Sequence, residues 1–522
     1  MILEAVKPGH FPIVASLICI PLIGVMGLIL AGRERVRLMK GIALFATVSE
    51  AAFSLLLVSN FDAENGEMQF VEAHTWVSEL GVSYQAGIDG LNLWLVVLSA
   101  LLLMVLVIST GSVGNHQCRK TYFIRLLLLE SAAIGAFVAT DVFLFYVFWE
   151  TALIPAYFLM GWEGNSSRRS AAATKCVLYN MAGGLFLLGG IVYLYFYYHS
   201  ITGEYSCNLL HWYTMIIPGE VQPWLFLTFT IAFAVRIPLF PFHTWLPNAY
   251  TEASVGGRVV LGSIFLGMGC YGLLRFTLLL FPQAVTQYGH VVAFLAVFSL
   301  LYGGLVAVSQ DDINRLLAYA SVSSLGFAVL GICSGTVLGI TGGVLQVINH
   351  GVVMAALFLM LDMLDRRCFT GTVGGSRGLW KTMPVFAFVF LIVCCGWMGV
   401  PGLSGFISVF LILLGGFRTN VWYVVFGAGG LVLVAIYGFG VLQRVFFGQG
   451  LDRKDRDGED LSNREQCALL PIVILVFWIG LYPMTFVQPV ETTVREMMQR
   501  VELKIKSASD SKAGDVGVPE AE

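Results

Sequence analysis

Charge is what this chain has least of. Asp, Glu, Lys and Arg make up 12% of its 522 residues, against roughly 25% in an average soluble domain. With 57% of the residues hydrophobic, that scarcity excludes an ordinary soluble fold and implies a polytopic membrane protein. No basic excess is present either, since 30 Lys and Arg face 33 Asp and Glu for a net charge of -3. A nucleic-acid surface is therefore not expected. The ten cysteines contain no C-x-x-C pair, which argues against an iron-sulfur cluster or a zinc site and leaves them as small packing residues. The N-terminal apolar run has no small-residue cleavage site behind it, so a retained helix is expected in place of a removed leader.

Windows of about 20 apolar residues predict fourteen transmembrane spans, centred near residues 21, 49, 98, 130, 151, 186, 232, 268, 299, 323, 351, 396, 433 and 476. Cations cluster after odd-numbered spans: Arg33, Arg35, Arg37 and Lys40, then Arg119, Lys120 and Arg125, then Arg168 and Arg169, later Arg366, Arg367, Arg377 and Lys381, and Arg453, Lys454 and Arg456. The stretch from 60 to 85 is acidic instead, with Asp62, Glu64, Glu67, Glu72 and Glu79. The positive-inside rule then makes the odd-to-even loops cytoplasmic and puts both termini on the opposite face.

Two spans are interrupted. Residues 226 to 250, FLTFTIAFAVRIPLFPFHTWLPNAY, hold one cation, Arg236, followed by Pro238, Pro241, His243 and Pro247. A charge at that depth costs roughly 3 kcal/mol on insertion scales, and prolines break the helix beside it. The second interruption is GVPGLSG, residues 399 to 405, around Pro401. These breaks fall five spans apart, in spans seven and twelve, the spacing of inverted five-helix repeats that hold a polar site inside a bundle. The expected divisions are residues 1–115 (helices one to three), 116–282 and 283–448 (the two repeats), 449–502 (a loop and helix fourteen) and a disordered tail from 503 to 522.

Ionisable residues inside spans are the candidate site. Glu150, in an otherwise nearly uncharged span, is either half of a structural ion pair or a proton acceptor whose affinity depends on a nearby cation. Lys175 either snorkels to the loop or serves as a relay. Arg236 holds its proton in proteins, so it is an electrostatic anchor, with Glu150 as the expected partner. His350 is a core histidine or a shuttle, and His243 a backbone tie for the broken helix. Glu130 and Glu50 are further buried carboxyls, Glu50 having the weaker claim because span two lies outside both repeats. Arg258 and Arg275, flanking span eight, are expected to snorkel, and Asp311, Asp312 and Arg315 to be solvated.

Five segments in one order, FYVFWETALIPAYFLMG, AFAVRIPLFPFHTWLPNAYTEA, DDINRLLAYASVSSLGF, NHGVVMAALFL and GVPGLSGF, resemble the antiporter-like chain M (subunit 4) family of proton-pumping NADH-quinone oxidoreductase, respiratory complex I. The resemblance covers residues from about 85 to 490. It implies an all-helical fold of fourteen helices with two inverted repeats, and a place in a membrane arm, expected in a bacterial inner membrane. No cofactor is implied on this chain: quinone and NADH are met only through the whole complex, whose other membrane-arm subunits and the lipid bilayer are the partners. By motif, Glu150 and Lys175 match the family's proton-path glutamate and sixth-helix lysine. Other positions depart, because Arg236, Gly267 and Val409 stand where the family usually has lysine, lysine and glutamate, Ser324 where it often has histidine, and Asn248 and Tyr250 where it has aspartate and histidine. Three exchangeable groups are thereby missing from one axis. The readings left open are a subunit taking part in proton translocation, a non-conducting structural and coupling subunit of the same complex, or the related antiporter-like subunit of a multisubunit cation/proton antiporter or membrane-bound hydrogenase.

Overall fold

The structure, a computed structural model, describes residues 12–32, 35–110, 116–162, 167–367, 379–446 and 460–515. It is predominantly helical, and among the described residues 11 helices are long and apolar enough to cross a membrane. The chain opens with α1 (Ile13–Leu30) and α2 (Val36–Ser59), then a hairpin of β1 (Gln69–Val77) and β2 (Val82–Ile88), then α3 (Leu93–Ser109) and α4 (His116–Val138). One further pass is split at Ala152 into α5 (Val142–Thr151) and α6 (Leu153–Gly161), where Pro155 in the first turn of α6 supplies no N–H.

After α7 (Arg169–Thr202) and the short α8 (Leu209–Trp212), the first interrupted pass comprises α9 (Gln222–Arg236) and α10 (Leu246–Glu252). A continuous helix follows, α11 (Val255–Val260), α12 (Leu266–Gly272) and α13 (Leu278–Leu280), joined by π-helical turns at Leu261–Phe265 and Leu273–Thr277. Next come α14 (Pro282–Val308), α15 (Ile313–Cys333), α16 (Val337–Asp365) and α17 (Leu379–Thr382). The second interrupted pass is α18 (Pro384–Met398) with α19 (Ser404–Thr419), and α20 (Val421–Phe446), α21 (Asn463–Leu481) and α22 (Met484–Asp515) complete the chain.

Two elements form the centre. The α11–α13 helix and α16 are each buried through an 18-residue apolar stretch and pack on each other, which is why both are largely apolar on every side. Helices at the periphery keep one apolar face outward, such as Leu185, Phe186 and Phe196 on α7 and Trp422 and Phe439 on α20. Lipid is the solvent that suits such faces.

Charges at the helix ends close open backbone groups. Lys40 donates to the Thr110 carbonyl past the end of α3 at 2.6 Å, and Lys120 to the Ile29 and Ala31 carbonyls at the end of α1, both at 2.9 Å. Glu72 of β1 accepts the Val14 and Ala15 N–H groups of α1 at 2.9 and 2.8 Å. Cation at a C-terminus and anion at an N-terminus both suit the helix dipole. Arg33, Arg377, Arg453, Lys454 and Arg456, used above to orient the spans, lie outside the described residues.

Two elements differ from what the sequence predicts. The acidic stretch from 60 to 85 holds most of the antiparallel hairpin, which ends at Ile88, with His74 opposite Tyr84 and a left-handed Gly81 at its turn. A β-carbon on Gly81 would run into the Tyr205 carbonyl, so the turn needs glycine twice over. The tail is the second difference. Helix α22 runs to Asp515, through the first part of the segment expected to be disordered, and residues 516–522 lie outside the described ones. Its Phe486, Val487, Val490, Val494, Met497 and Val501 are buried on one face, while Thr492 donates to the Ala63 carbonyl and Lys504 to the Leu279 carbonyl, both at 3.0 Å. It packs across α13, α14 and α16 and reaches the turn after α2 through Thr492.

Candidate functional site

Helix α9 stops because Pro238 disfavours a helical residue before it and cannot donate a hydrogen bond. Pro247 then occupies the first turn of α10, where a missing N–H costs nothing. Between them, residues 237–245 have loose backbone groups that side chains collect. Trp245 donates its indole N–H to the Val235 carbonyl at 3.0 Å, and the Phe240 N–H goes to Ser299 Oγ at 2.8 Å. Lys175 of α7 donates its Nζ to the Thr244 carbonyl at 2.7 Å, and Tyr179 OH meets Thr244 Oγ1 at 2.8 Å.

This corrects two expectations. Lys175 does not snorkel to the loop but ties α7 to the break. His243, expected as the backbone tie, instead stacks at 5.7 Å on Phe240, lies 5.2 Å from Tyr302, and has a buried Nδ1 without a partner.

Arg236 is completely buried. Its guanidinium carbon lies 3.6 Å from the Trp149 ring centroid and 4.2 Å from that of Phe265, with Nε donating to Asn180 Oδ1 at 2.9 Å and the two terminal nitrogens to the Trp149 carbonyl at 3.4 and 3.3 Å. The cation is stabilised by π-faces and neutral oxygens, with its charge retained. No ion pair joins it to Glu150, the partner expected from the sequence, although the two charges remain close enough to act on each other. The reason is backbone geometry: Trp149 and Glu150 are adjacent on α5, so when the tryptophan lies under Arg236 the glutamate points about 100° away.

It points at Gly184 of α7. The half-buried Glu150 puts Oε1, which has no hydrogen-bond partner, into the space a β-carbon on Gly184 would fill. The glycine thus makes the seat for the carboxyl. Helix α5 is itself anchored at its start by Asp141, which accepts the Leu144 and Ser83 N–H groups at 3.0 and 3.1 Å; burial raises this carboxyl above its ordinary range while those bonds pull it down.

The second break is made differently. Gly399 and Gly402 adopt left-handed φ angles of 75° and 88°, with the exposed Pro401 between them. Asn349 of α16 accepts the Ser404 hydroxyl at 2.6 Å where α19 begins. One turn further along, Gln346 donates to Ser324 Oγ at 2.9 Å and accepts from Ser408 Oγ at 2.6 Å. A neutral network therefore links α15, α16 and α19. Val409 is half-buried beside it, and the space over Gly267 closes on Val347, whose Cγ1 would lie 3.3 Å from an added β-carbon. His350 is buried against the Gly262 backbone in the first π-helical turn, neither ring nitrogen making a well-aligned bond.

The remaining charges were only partly placed by sequence. Arg275 does not snorkel: it is buried and pairs with Asp89 at 2.6 Å. Arg258 is buried as well, donating to the Ala253 carbonyl at 2.9 Å and to Asn314 at 3.0 Å. Asp312 is exposed, as expected, and caps α15 by accepting the Asn314 N–H at 2.8 Å. Glu50 and Glu130 are both fully buried, and each is the other's polar neighbour. The pairing of Arg275 with the aspartate of GIDGLN, and the Ser324–Gln346–Ser408 network, were missed; buried polar residues at helical spacing in α15 and α16 were the available signal.

Comparison with known proteins bears on this arrangement. Residues 139–434 match the family model described as NADH:quinone oxidoreductase/Mrp antiporter, TM. NADH-quinone oxidoreductase subunit M of Rickettsia typhi is 35% identical over 497 residues, covering 94% of this chain and 99% of the relative. Chain 4 of the NADH-ubiquinone oxidoreductase of Marchantia polymorpha is 33% identical over 485 residues, covering 93% and 97%. Among solved structures, a chain of respiratory complex I from Thermus thermophilus superimposes with a TM-score of 0.82 at 27% identity, over 94% of this chain and 99% of that one. A chain of the Mrp complex from Dietzia shares the fold, with a TM-score of 0.76 at 21% identity, covering 92% of this chain and 51% of that one.

Proposed function

Because this chain belongs to the NADH:quinone oxidoreductase/Mrp antiporter transmembrane family, we propose that it is a membrane-arm subunit of a complex I-like NADH-quinone oxidoreductase and takes part in its proton translocation. Near-complete coverage of the subunit M and chain 4 relatives favours this over the related subunit of a cation/proton antiporter or a membrane-bound hydrogenase. Fourteen passes, the 11 long helices with α3 and the two interrupted passes, complete the reading, ten of them as two five-helix repeats over 116–282 and 283–448. It places the chain in a bacterial inner membrane beside other membrane-arm subunits, with electron chemistry elsewhere in the complex.

The observation that carries the role is Glu150: a half-buried carboxyl with a free Oε1, seated over Gly184 and within electrostatic reach of an immobile cation. A group of that kind takes up or releases a proton according to the field it feels. Arg236 supplies a fixed field, and Lys175 couples the neighbouring break to α7. The test is the number of protons moved per electron pair by the reconstituted complex. Glu150→Gln, nearly isosteric, is expected to lower it while assembly persists.

A second reading has its own support. The neutral Ser324–Gln346–Ser408 network and the apolar contact of Gly267 with Val347 stand where exchangeable groups would continue the line from Glu150. On that reading the chain transmits shape and charge without conducting. An unchanged proton ratio in assembled Glu150→Gln favours it.

A further inference from the structure

Two carboxyl groups inside this protein take no part in the arrangement above. Glu50 on α2 and Glu130 on α4 are each 0% exposed, and none of their four oxygens has a hydrogen-bond partner of good geometry elsewhere in the protein. Each acts electrostatically on the other. Their depth matches, because Glu50 is as far past Val36, where α2 starts, as Glu130 is past His116, where α4 starts, and both starts lie next to a cationic cluster. At the helical rise that separation is about 21 Å into each helix. Neither is near an end where it can snorkel.

The surroundings supply no counter-charge. Helix α1, wedged between the pair's helices with Gly24 against Ala46 and Leu127, has no Asp, Glu, Lys or Arg, and neither has α3. On α2, Lys40 stands almost three turns nearer the helix start and is bound to carbonyls at the end of α3. On α4, Lys120 is bound to the end of α1, and Arg125 stacks at 5.4 Å on Phe158 and 5.6 Å on Trp162. Among the described residues, Arg37 of α2, Arg119 and Tyr122 of α4, Cys19 of α1, Tyr84 of β2, Glu150 and Tyr146 of α5, Tyr157 of α6, Arg258 of α11 and Cys270 and Tyr271 of α12 are the other titratable or charged groups on these elements and those against α4, and none acts on either carboxyl. The hydroxyls of Thr47 and Ser54, on the same face of α2, are spent on their own helix's carbonyls.

We propose that Glu50 and Glu130 form a proton-binding dyad, a second protonatable site at the seam between the first three helices and the rest of the chain, separate from Glu150 and Arg236. Two ionised carboxylates cannot face each other in a dry interior with no cation, so one proton is shared between them: one group donates its O–H to the other's carboxylate oxygen. The singly protonated pair carries one negative charge, and uptake of a second proton from water makes it neutral. No electrons move. Pairs of this kind titrate as a unit, so a change in potential at the seam is registered as uptake or release of one proton.

The experiment is pH-jump infrared difference spectroscopy on the assembled complex, in water and in deuterium oxide, comparing wild type with Glu50→Gln and Glu130→Gln. A deuterium-sensitive carbonyl band of a protonated carboxyl is expected in wild type, and each single variant is expected to shift or abolish that same band, because the proton belongs to both residues. A band left unchanged by both substitutions overturns the proposal. So does a band that appears only when monovalent cations are removed, which marks a bound metal ion in the proton's place. Should either glutamine variant fail to assemble, Glu50→Asp keeps an acid at the site and must move the band in frequency; no movement overturns the dyad equally.

Discussion

The two broken helices solve one mechanical problem with opposite chemistry. At the first, between α9 and α10, prolines interrupt the backbone, and a cation, Lys175, binds the opened strand while another, Arg236, is sealed alongside by Trp149 and Phe265. At the second, between α18 and α19, left-handed glycines make the bend, and amides and hydroxyls alone hold it through Asn349, Gln346, Ser404 and Ser408. At the first, side chains satisfy backbone groups inside the bundle, as the absence of water in a bilayer requires; at the second, Pro401 is exposed and side chains bond to one another. Only the first keeps ionised groups at hand. Breaking a helix is thus a packing device, and charge is a separate addition that one half of the chain retains.

Substitutions at the first break should act on both stability and charge, and those at the second on stability alone. The largest effect is expected from Arg236→Ala, which empties the space between two aromatic rings and leaves Asn180 and the Trp149 carbonyl without their donor. A loss of about 3 kcal/mol or more should show as a sharply reduced amount of assembled subunit on native gels, with Arg236→Lys recovering part of it because the charge returns without the planar fork. Normal assembly of the alanine variant would mean that the cage does not hold the break. Next comes Gly184→Ala, whose β-carbon takes the place of Glu150 Oε1. Overpacking of about 1–3 kcal/mol is expected, together with a fall in protons per electron pair approaching that of Glu150→Gln; a full ratio would show that the seat is immaterial. The smallest change in function is expected for Gln346→Leu. It strips Ser324 of its donor and Ser408 of an acceptor for about 1–3 kcal/mol, lowering the unfolding temperature of the complex while turnover and proton ratio stay as they were.

The contrast between the breaks was readable in outline from the sequence. Pro238, Pro241 and Pro247 against Gly399 and Gly402 announce two interruptions, and apolar run length marks the passes, because lipid imposes length and composition directly. Pairing was less legible. Matching buried charges one to one assigned Glu150 to Arg236, whereas an arginine is also satisfied by an aromatic face, and nothing in a linear sequence says that Trp149 turns under it. The same habit sent Arg275 to the interface, although its partner Asp89 waits in a distant part of the chain, before α3. Neutral networks escaped for a related reason: Ser, Asn and Gln carry no cost signal as loud as a charge, so Gln346 and Ser408 read as ordinary helix residues. The hairpin and α22 were missed because apolar windows of membrane-spanning length do not register short strands or an amphipathic helix lying across helix ends.

The most direct measurement is the proton-to-electron ratio of the reconstituted complex, taken side by side for Glu150→Gln and Gln346→Leu at matched assembly. The ratio should fall in the glutamate variant and hold in the glutamine one, since of the two breaks the first has the exchangeable carboxyl beside it. A ratio that falls in Gln346→Leu and holds in Glu150→Gln contradicts it.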